Sequence, residues 1–255
     1  MIYNLKDVVE SSKRERFNVI STFAGGGGSS TGYRLAGGKI LCVNEFVEEA
    51  QNTYKENYPD TPILPGDIKK LSGKDFTDIA GTTDIDILDG SPPCSAFSVA
   101  GKLSHSSGGK HSDGWGQTKN YSDGMMVENI EDLFFEFLRV ANEIKPKVIV
   151  AENVAGLTIG EAKEYYNKIL NEFEKIGYDV CSQVMNSKNY GVSQTRTRVI
   201  FIGLRNDITE KVGLNFMTIQ NVFPEPNDKI IPLKEALEGL EYDSEEVKEL
   251  TEKFV

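Results

Sequence analysis

Residues 18–32 read NVISTFAGGGGSSTG, and this stretch decides the fold class. A β-rich run leads into the glycines at 25–28, and a segment with helical periodicity follows at 29–36. A strand that passes through a glycine turn into a helix is the first half of a βαβ unit. Glycines allow a tight turn and close approach of a ligand, and a helix start offers free N–H groups. The stretch therefore predicts an α/β sheet with a ligand site where this strand ends.

The same alternation of short β-rich runs and longer 3.6-period segments continues toward residue 206, and it is typical of βαβ units on a parallel sheet. Strands are predicted at 18–24, 39–45, 63–65, 84–89, 147–152, 179–185 and 197–204, and helices at 29–36, 46–57, 128–144 and 161–176. Residues 1–17 are predicted to be a polar N-terminal extension. Residues 207–255 are predicted to form a polar helical tail.

The composition argues against several classes of protein. The net charge of −11 has the wrong sign for a nucleic-acid binder that works through bulk charge. The three cysteines, Cys42, Cys94 and Cys181, are widely spaced, which indicates a reducing compartment rather than a disulfide framework. The two histidines have no cysteine nearby, so a structural zinc site is not expected. No apolar run reaches about 18 residues, and the polar N-terminus lacks a signal-peptide pattern.

Residues 101–124 interrupt the pattern, because they are rich in glycine and serine and have no apolar periodicity. Loops of this length without secondary structure are usually functional lids or disordered insertions. We interpret the segment as a mobile active-site loop.

Two carboxylates follow neighbouring predicted strands. Glu45 ends the second strand about 20 residues after the glycines, where an acid can bind ribose hydroxyls, and Asp67 follows the third strand. The glycines lack the G-x-G-x-x-G spacing of a phosphate cradle, because Ser30 takes the third position. An acid for ribose without a phosphate cradle suits S-adenosylmethionine. The alternative is that the glycines form only a turn and both acids are solvated strand ends.

Three further motifs fall at the same predicted sheet edge. Residues 88–98, LDGSPPCSAFS, present Cys94 after two prolines, where a thiolate could act as a nucleophile. Residues 148–154, VIVAENV, bring Glu152 to the edge as a possible proton donor. Residues 189–198, NYGVSQTRTR, alternate Arg196 and Arg198 onto one face together with Gln194.

Taken in order, these motifs resemble those of the cytosine-C5 DNA methyltransferases, over about residues 17–206. The resemblance implies an S-adenosylmethionine-dependent methyltransferase (Rossmann-like) fold, with a seven-stranded, mostly parallel sheet, an antiparallel last strand and a catalytic domain at 18–206. It implies a cofactor site formed by Phe23, Ala24, Gly25, Gly27, Glu45, Asp67, Ile68, Gly90 and Pro92. It implies a catalytic set of Cys94, Glu152, Arg196 and Arg198, and no metal.

The family chemistry gives each catalytic residue a role. Cys94 would add to C6 of a cytosine, Glu152 would act at N3, and Arg198, with Arg196, would hold O2 and a nearby phosphate. The target base must leave the duplex to reach such a site, so the loop at 101–124 becomes the expected lid. The family's acid-x-arginine element before the next helix is absent, because Asp123 is followed by Gly124 and Met125.

The resemblance also predicts the partners. Double-stranded DNA is the expected substrate. No target-recognition domain or closing family motif is found after Asp207, although FPEP and PLKEAL resemble the stretch that precedes a recognition domain. We expect either a second polypeptide that carries the recognition domain or a truncated or degenerate gene. A cytoplasmic, nucleoid-associated protein of a prokaryote or phage is expected, in a restriction-modification, phage or orphan setting.

Other functions remain open at this point. A non-catalytic cofactor-binding subunit would keep the sheet, but it has no need of Cys94, Glu152 and Arg198 together. A tRNA cytosine-C5 methyltransferase usually shows a Cys-Phe-Thr element, which this sequence lacks. A nicotinamide-dependent dehydrogenase is disfavoured by the glycine spacing.

Overall fold

A computed structural model describes residues 3, 5–93, 119–120, 126–127, 132–160, 162–215, 218–227 and 229–236. The chain divides into two compact units. The larger unit comprises Tyr3–Met185 and Thr197–Pro224, and the smaller one comprises Asn186–Arg196 with segments from both chain ends.

Seven of the described strands form one sheet: β1 (Phe17–Thr22), β2 (Gly38–Glu45), β3 (Ile63–Pro65), β4 (Ile87–Gly90), β7 (Val148–Val154), β8 (Tyr178–Asn186) and β9 (Thr197–Arg205). Their order in the sheet is β3-β2-β1-β4-β7-β9-β8. Strands β1 to β4 and β7 pair in parallel, and β9 runs antiparallel to β7. The predicted mostly parallel sheet with an antiparallel last strand is therefore confirmed. Two short strands, β5 (Lys119–Asn120) and β6 (Met126–Val127), pair separately.

Helices connect and cover these strands. They are α1 (Leu5–Ser12), α2 (Gly28–Leu35), α3 (Glu48–Asn57), α4 (Gly73–Ala80), α5 (Asp132–Ile144), α6 (Ala162–Lys175), α7 (Asn206–Val212) and α8 (Leu233–Ala236). Short 3-10 helices lie at Ile68–Lys70, Ala155–Thr158, Ser187–Tyr190 and Ile219–Val222. None of the helices that the structure describes is long and apolar enough to cross a membrane.

The predicted helices did not include α1 or α4, which are both short, and α7 lies in the predicted polar helical tail. Helix α4 begins at a capping box in which the Ser72 side chain accepts from the Asp75 N–H and Asp75 accepts from the Ser72 N–H. Helix α1 lies in the predicted polar extension, but it buries Val8, which is 2% exposed. Helices this short, with only one or two buried residues each, give too weak a periodicity to identify in a polar sequence.

The main core lies between the sheet and the helices α4, α5 and α6. Phe134 and Phe137 of α5 and Phe173 of α6 are buried, and the Phe134 and Phe173 rings contact Phe201 of β9. The helix predicted over 128–144 is described from Asp132 onward, and its buried apolar side chains pack on the sheet. Residues 128–131 lie outside the described part.

The segment that follows β9 packs against the sheet. Ile219 and Phe223 are buried against Cys181 of β8 and Leu204 of β9, so residues 206–224 belong to the larger unit. The predicted tail helix is described only over Leu233–Ala236, where Leu233 is exposed.

Candidate functional site

The glycine turn after β1 is built from unusual backbone angles. Phe23, Gly25 and Gly27 have φ values of 53°, 54° and 97°. Gly27 donates a 3.0 Å hydrogen bond to the Ala24 carbonyl, which closes the turn directly before α2. A Cβ at Gly27 would lie 2.8 Å from the Tyr58 ring, so both the backbone angle and the space require glycine there.

The Glu45 carboxylate organises this turn. Its Oε2 accepts a 2.8 Å hydrogen bond from the Gly25 N–H, and its Oε1 accepts bonds from Phe46 N–H and Val47 N–H, each 2.8 Å long. Only 8% of Glu45 is exposed. A carboxylate oxygen can accept two hydrogen bonds, so among the described residues Oε2 keeps capacity for one more. Glu45 is therefore a built acceptor and not a solvated strand end.

The turn after β3 is held next to it. The Asn44 side-chain amide donates to the carbonyls of Leu64 and Gly66, at 2.9 Å and 3.0 Å. Asp67 caps the 3-10 helix that follows, because its Oδ1 accepts a 3.0 Å bond from the Lys69 N–H. These bonds place Asp67 and Ile68 at the same sheet edge as Glu45.

A cavity of about 340 Å³ lies between these two turns. Its lining residues are Phe23, Gly25, Asn44, Glu45, Phe46, Val47, Ala50, Gly66, Asp67, Ile68, Pro93 and Leu133. The lining is largely apolar, and it includes the two carboxylates of Glu45 and Asp67. A nucleoside needs an apolar slot for its base and an acceptor for its ribose, so these residues fit the nucleoside part of S-adenosylmethionine.

The predicted cofactor residues divide into two groups. Phe23, Gly25, Glu45, Asp67 and Ile68 line the cavity, whereas the four others, Ala24, Gly27, Gly90 and Pro92, lie outside its lining. Sequence reasoning missed Leu133, which comes from a distant helix. It also missed the cavity-lining Pro93, although the neighbouring Pro92 was predicted.

The end of β4 approaches the cavity through tight packing. A Cβ at Gly90 would lie 2.6 Å from Thr22 Oγ1 and 2.7 Å from the Phe137 ring. The Pro92 carbonyl accepts a 3.3 Å hydrogen bond from the Asn153 side chain. These contacts fix the chain just before residue 94. Cys94 itself lies outside the described residues.

Glu152 and Arg198 meet across the antiparallel pair of β7 and β9. Arg198 Nε lies 2.8 Å from Glu152 Oε1, and the two side chains are 28% and 30% exposed. The sheet register pairs Glu152 with Ile200 and Val154 with Arg198, so Glu152 and Arg198 are diagonal neighbours on one face of the sheet. A proton donor or acceptor is thus held next to a fixed cation. Arg196 belongs to the smaller unit and is exposed there, as is Gln194.

Asp89 is a buried carboxyl that sequence reasoning did not select. It accepts hydrogen bonds from Ser21 Oγ at 2.9 Å and from the Tyr33 hydroxyl at 3.0 Å. Burial raises its pKa to about 6, and the charge of Glu152 adds to the rise, while the bonds from Ser21 and Tyr33 act the other way. An acid inside a strand gave no signal, because its burial depends on the neighbouring strand and helix.

The other two cysteines are structural. Cys42 and Cys181 are 0% and 3% exposed. Burial raises the pKa of the Cys42 thiol to about 12 and that of the Cys181 thiol to about 11, so neither forms a thiolate readily. Within the described ranges no three His, Cys, Asp or Glu residues cluster as metal ligands would.

The sheet order and the ligand edge define a Rossmann-like protein of the methyltransferase class. Residues 17–255 match the C-5 cytosine-specific DNA methylase family. Because the match covers most of the chain, the chain belongs to this family, as the order of its motifs predicted.

Several relatives are known. The Type II methyltransferase M.NgoPII of Neisseria gonorrhoeae is 35% identical over 76% of this chain and 49% of its own length. M.Eco47II of Escherichia coli, also a Type II methyltransferase, is 34% identical over 90% of this chain and 48% of its own length. The chain thus spans about half the length of the curated relatives it matches.

Solved structures agree on the fold. An E. coli protein assigned as a DNA modification methyltransferase encoded within a prophage has a TM-score of 0.66 and 26% identity, over 88% of this chain and 55% of that one. The Dnmt2 methyltransferase of S. pombe, with a TM-score of 0.50 and 20% identity over 75% of this chain and 50% of its own, supports the fold alone.

Proposed function

We propose that the chain transfers a methyl group from S-adenosylmethionine to C5 of a flipped-out cytosine in double-stranded DNA. Membership of the family supports the reaction class. The observation that carries the proposal is the shared sheet edge, where the Glu45 cavity, the end of β4 and the Glu152–Arg198 pair all lie.

The cavity residues would hold the cofactor. Glu45 Oε2 would accept from a ribose hydroxyl, while its bond to Gly25 keeps the glycine turn in place. Ile68 and Leu133 would enclose the adenine, and Asp67 would lie beside it. When bound, S-adenosylmethionine supplies an electrophilic methyl group on a sulfonium.

Cytosine needs activation, because C5 is a poor carbon nucleophile. The thiolate of Cys94 would add to C6, and the electron pair of the C5–C6 double bond would move toward C5 and N3. Glu152 would protonate or hydrogen-bond N3 as that charge develops. After C5 has taken the methyl group, a base would remove the C5 proton and the thiolate would leave, which restores the aromatic ring.

Arg198 would serve two purposes in this sequence of steps. Its Nε contact at 2.8 Å fixes the Glu152 carboxyl. Its remaining guanidinium N–H groups can donate to the O2 of cytosine, and one of them donates to the Thr197 carbonyl at 2.9 Å. Arg196 would contribute a phosphate contact from the exposed chain that precedes β9.

The assignment of the nucleophile to Cys94 is supported by the other two thiols. Cys42 and Cys181 are buried in the sheet with raised pKa values, so they are unsuited to attack a base. A 5-fluorocytosine duplex tests the assignment, because fluorine at C5 cannot leave as a proton would and the adduct persists. A covalent complex should form with the unaltered chain and cofactor, and Cys94→Ser should abolish it. An adduct that survives this substitution would refute the role.

A cofactor-binding protein without catalysis is the alternative function. Calorimetric titration with S-adenosylhomocysteine tests binding separately from chemistry. Binding without any adduct would favour the alternative, and no binding by folded protein would reject both readings. The family match, the relatives and the solved structures give no support to the second polypeptide that the sequence led us to expect. That expectation stays a prediction.

A further inference from the structure

Three charged residues of α5 form a cluster: Glu136, Arg139 and Glu143. Arg139 Nε donates to Glu136 at 2.8 Å, and its Nη1 donates to Glu143 at 2.8 Å. The two carboxylates therefore hold the guanidinium plane in one orientation.

The other side of the guanidinium contacts the wall of the cavity. Arg139 Nη2 donates to the carbonyl of Ile68 at 3.0 Å and to that of Leu71 at 2.8 Å. Ile68 lies 71 positions earlier in the chain and lines the cavity. One side chain thus bridges α5 and both ends of the turn that carries the cavity wall.

Glu143 holds the next residues of the same turn. Its Oε2 accepts a 2.6 Å hydrogen bond from the Gly73 N–H. A Cβ at Gly73 would lie 2.6 Å from the Glu143 Cβ, so glycine permits this close approach. The segment 68–73 is therefore fixed at three backbone groups by two side chains of one helix.

We propose that Arg139 is a positioning residue for the cofactor cavity, because it holds the Ile68–Leu71 turn against α5. The inference rests on the proposed function, since it assigns the cavity to the nucleoside of S-adenosylmethionine. Leu133, near the start of the same helix, lines the cavity as well. Helix α5 thus supplies one part of the wall directly and fixes another through Arg139.

Only arginine suits the arrangement. The planar guanidinium of arginine has N–H groups that donate in several fixed directions at once, whereas the lysine ammonium is one nitrogen at the end of a flexible chain. Arg139→Lys can reach the carbonyls of Ile68 and Leu71, but it cannot also bond both carboxylates. Arg139→Met keeps most of the apolar stem and removes every donor.

The test is calorimetric titration of S-adenosylhomocysteine into the full chain, at a temperature where all variants are folded. Arg139→Met should raise Kd about tenfold, the effect of losing roughly one or two of the part-buried hydrogen bonds that hold the cavity wall. The Kd of Arg139→Lys should lie between the Kd of Arg139→Met and that of the unaltered protein. The matched control is Lys168→Met, which removes a 3.0 Å ion pair with Glu164 on α6, away from the cavity lining. It should leave Kd unchanged.

A second ligand separates positioning from general stability. 5′-Methylthioadenosine keeps the nucleoside and lacks the amino-acid part, so its Kd should rise by the same factor as that of S-adenosylhomocysteine. A lower melting temperature with both Kd values within twofold of the unaltered protein would overturn the inference. If the unaltered chain binds neither ligand, the proposed function fails and the inference fails with it.

Discussion

Arg198 Nε lies 2.8 Å from Glu152 Oε1, and both side chains are about one-third exposed or less. An ion pair this close to solvent contributes only about 0 to 1 kcal/mol to folding stability. Its main effect is geometric, because it fixes one carboxyl at the sheet edge and leaves other guanidinium N–H groups available to a ligand. Removal of the Arg198 guanidinium separates these two effects.

Arg198→Met should reduce the rate of adduct formation with a 5-fluorocytosine duplex by about a hundredfold, the scale of losing a positioned charge stabiliser. The free energy of unfolding should change by less than about 1 kcal/mol. Rapid quenching and urea unfolding measure the two quantities. Arg205→Met, which removes a 2.6 Å contact to Asp207, is the control for loss of an arginine ion pair elsewhere. Equal loss of adduct in both variants would contradict the role of Arg198.

Glu45→Gln should weaken the binding of S-adenosylhomocysteine by about tenfold or more. Glu45 accepts from the Gly25 N–H with one oxygen and from the Phe46 and Val47 N–H groups with the other. Glutamine has only one acceptor oxygen, so it cannot keep all of these hydrogen bonds. Titration calorimetry measures the change. Glu48→Gln, at the exposed start of α3, should bind as the unaltered protein does. Unchanged affinity in Glu45→Gln would show that the carboxylate is not needed.

Asp89→Asn should make stability less dependent on pH. The pKa of Asp89 is raised to about 6 by burial, above its ordinary value of about 3.9, so the native state binds this proton more tightly than the unfolded state. The stabilisation that protonation gives is present below about pH 4 and is lost as pH rises through about 6, a change of roughly 3 kcal/mol. Asparagine carries no such penalty.

The variant should therefore be more stable than the unaltered protein at about pH 7.5, by roughly 1 to 3 kcal/mol. This figure already allows for the loss of one hydrogen bond, to Ser21 or to Tyr33. The difference should shrink toward about pH 4.5. Urea unfolding at several pH values gives both curves. A stability difference between the two proteins that does not vary with pH would mean that burial does not raise the pKa of Asp89.

Gly90→Ala should destabilise the protein by about 1 to 3 kcal/mol, because the new methyl group would overlap Thr22 Oγ1 and the Phe137 ring. Gly32→Ala is the matched control. It lies inside α2 with nothing within 4 Å of the added Cβ, so it should raise stability by about 0.5 to 1 kcal/mol. Thermal unfolding compares the two variants, and a neutral result for Gly90→Ala would contradict the tight packing at the end of β4.

Local patterns were sufficient to predict the strands, the glycine turn and the acid at the end of β2. Strand and turn preferences come from backbone sterics and side-chain periodicity, which act over a few residues. The parallel order then brings successive strand ends to one edge, so Glu45 and Asp67 could be expected together. The match of residues 17–255 to the family agrees with that order of motifs.

Tertiary structure alone decided which residues complete the site. Leu133 reaches the cavity because α5 packs on the sheet, Asp89 becomes buried because Tyr33 and Ser21 cover it, and Arg139 meets the Ile68 carbonyl across 71 positions. Each of these contacts depends on sheet order and helix packing. Those are set by burial of apolar surface summed over the whole domain, and no short stretch of sequence carries that information.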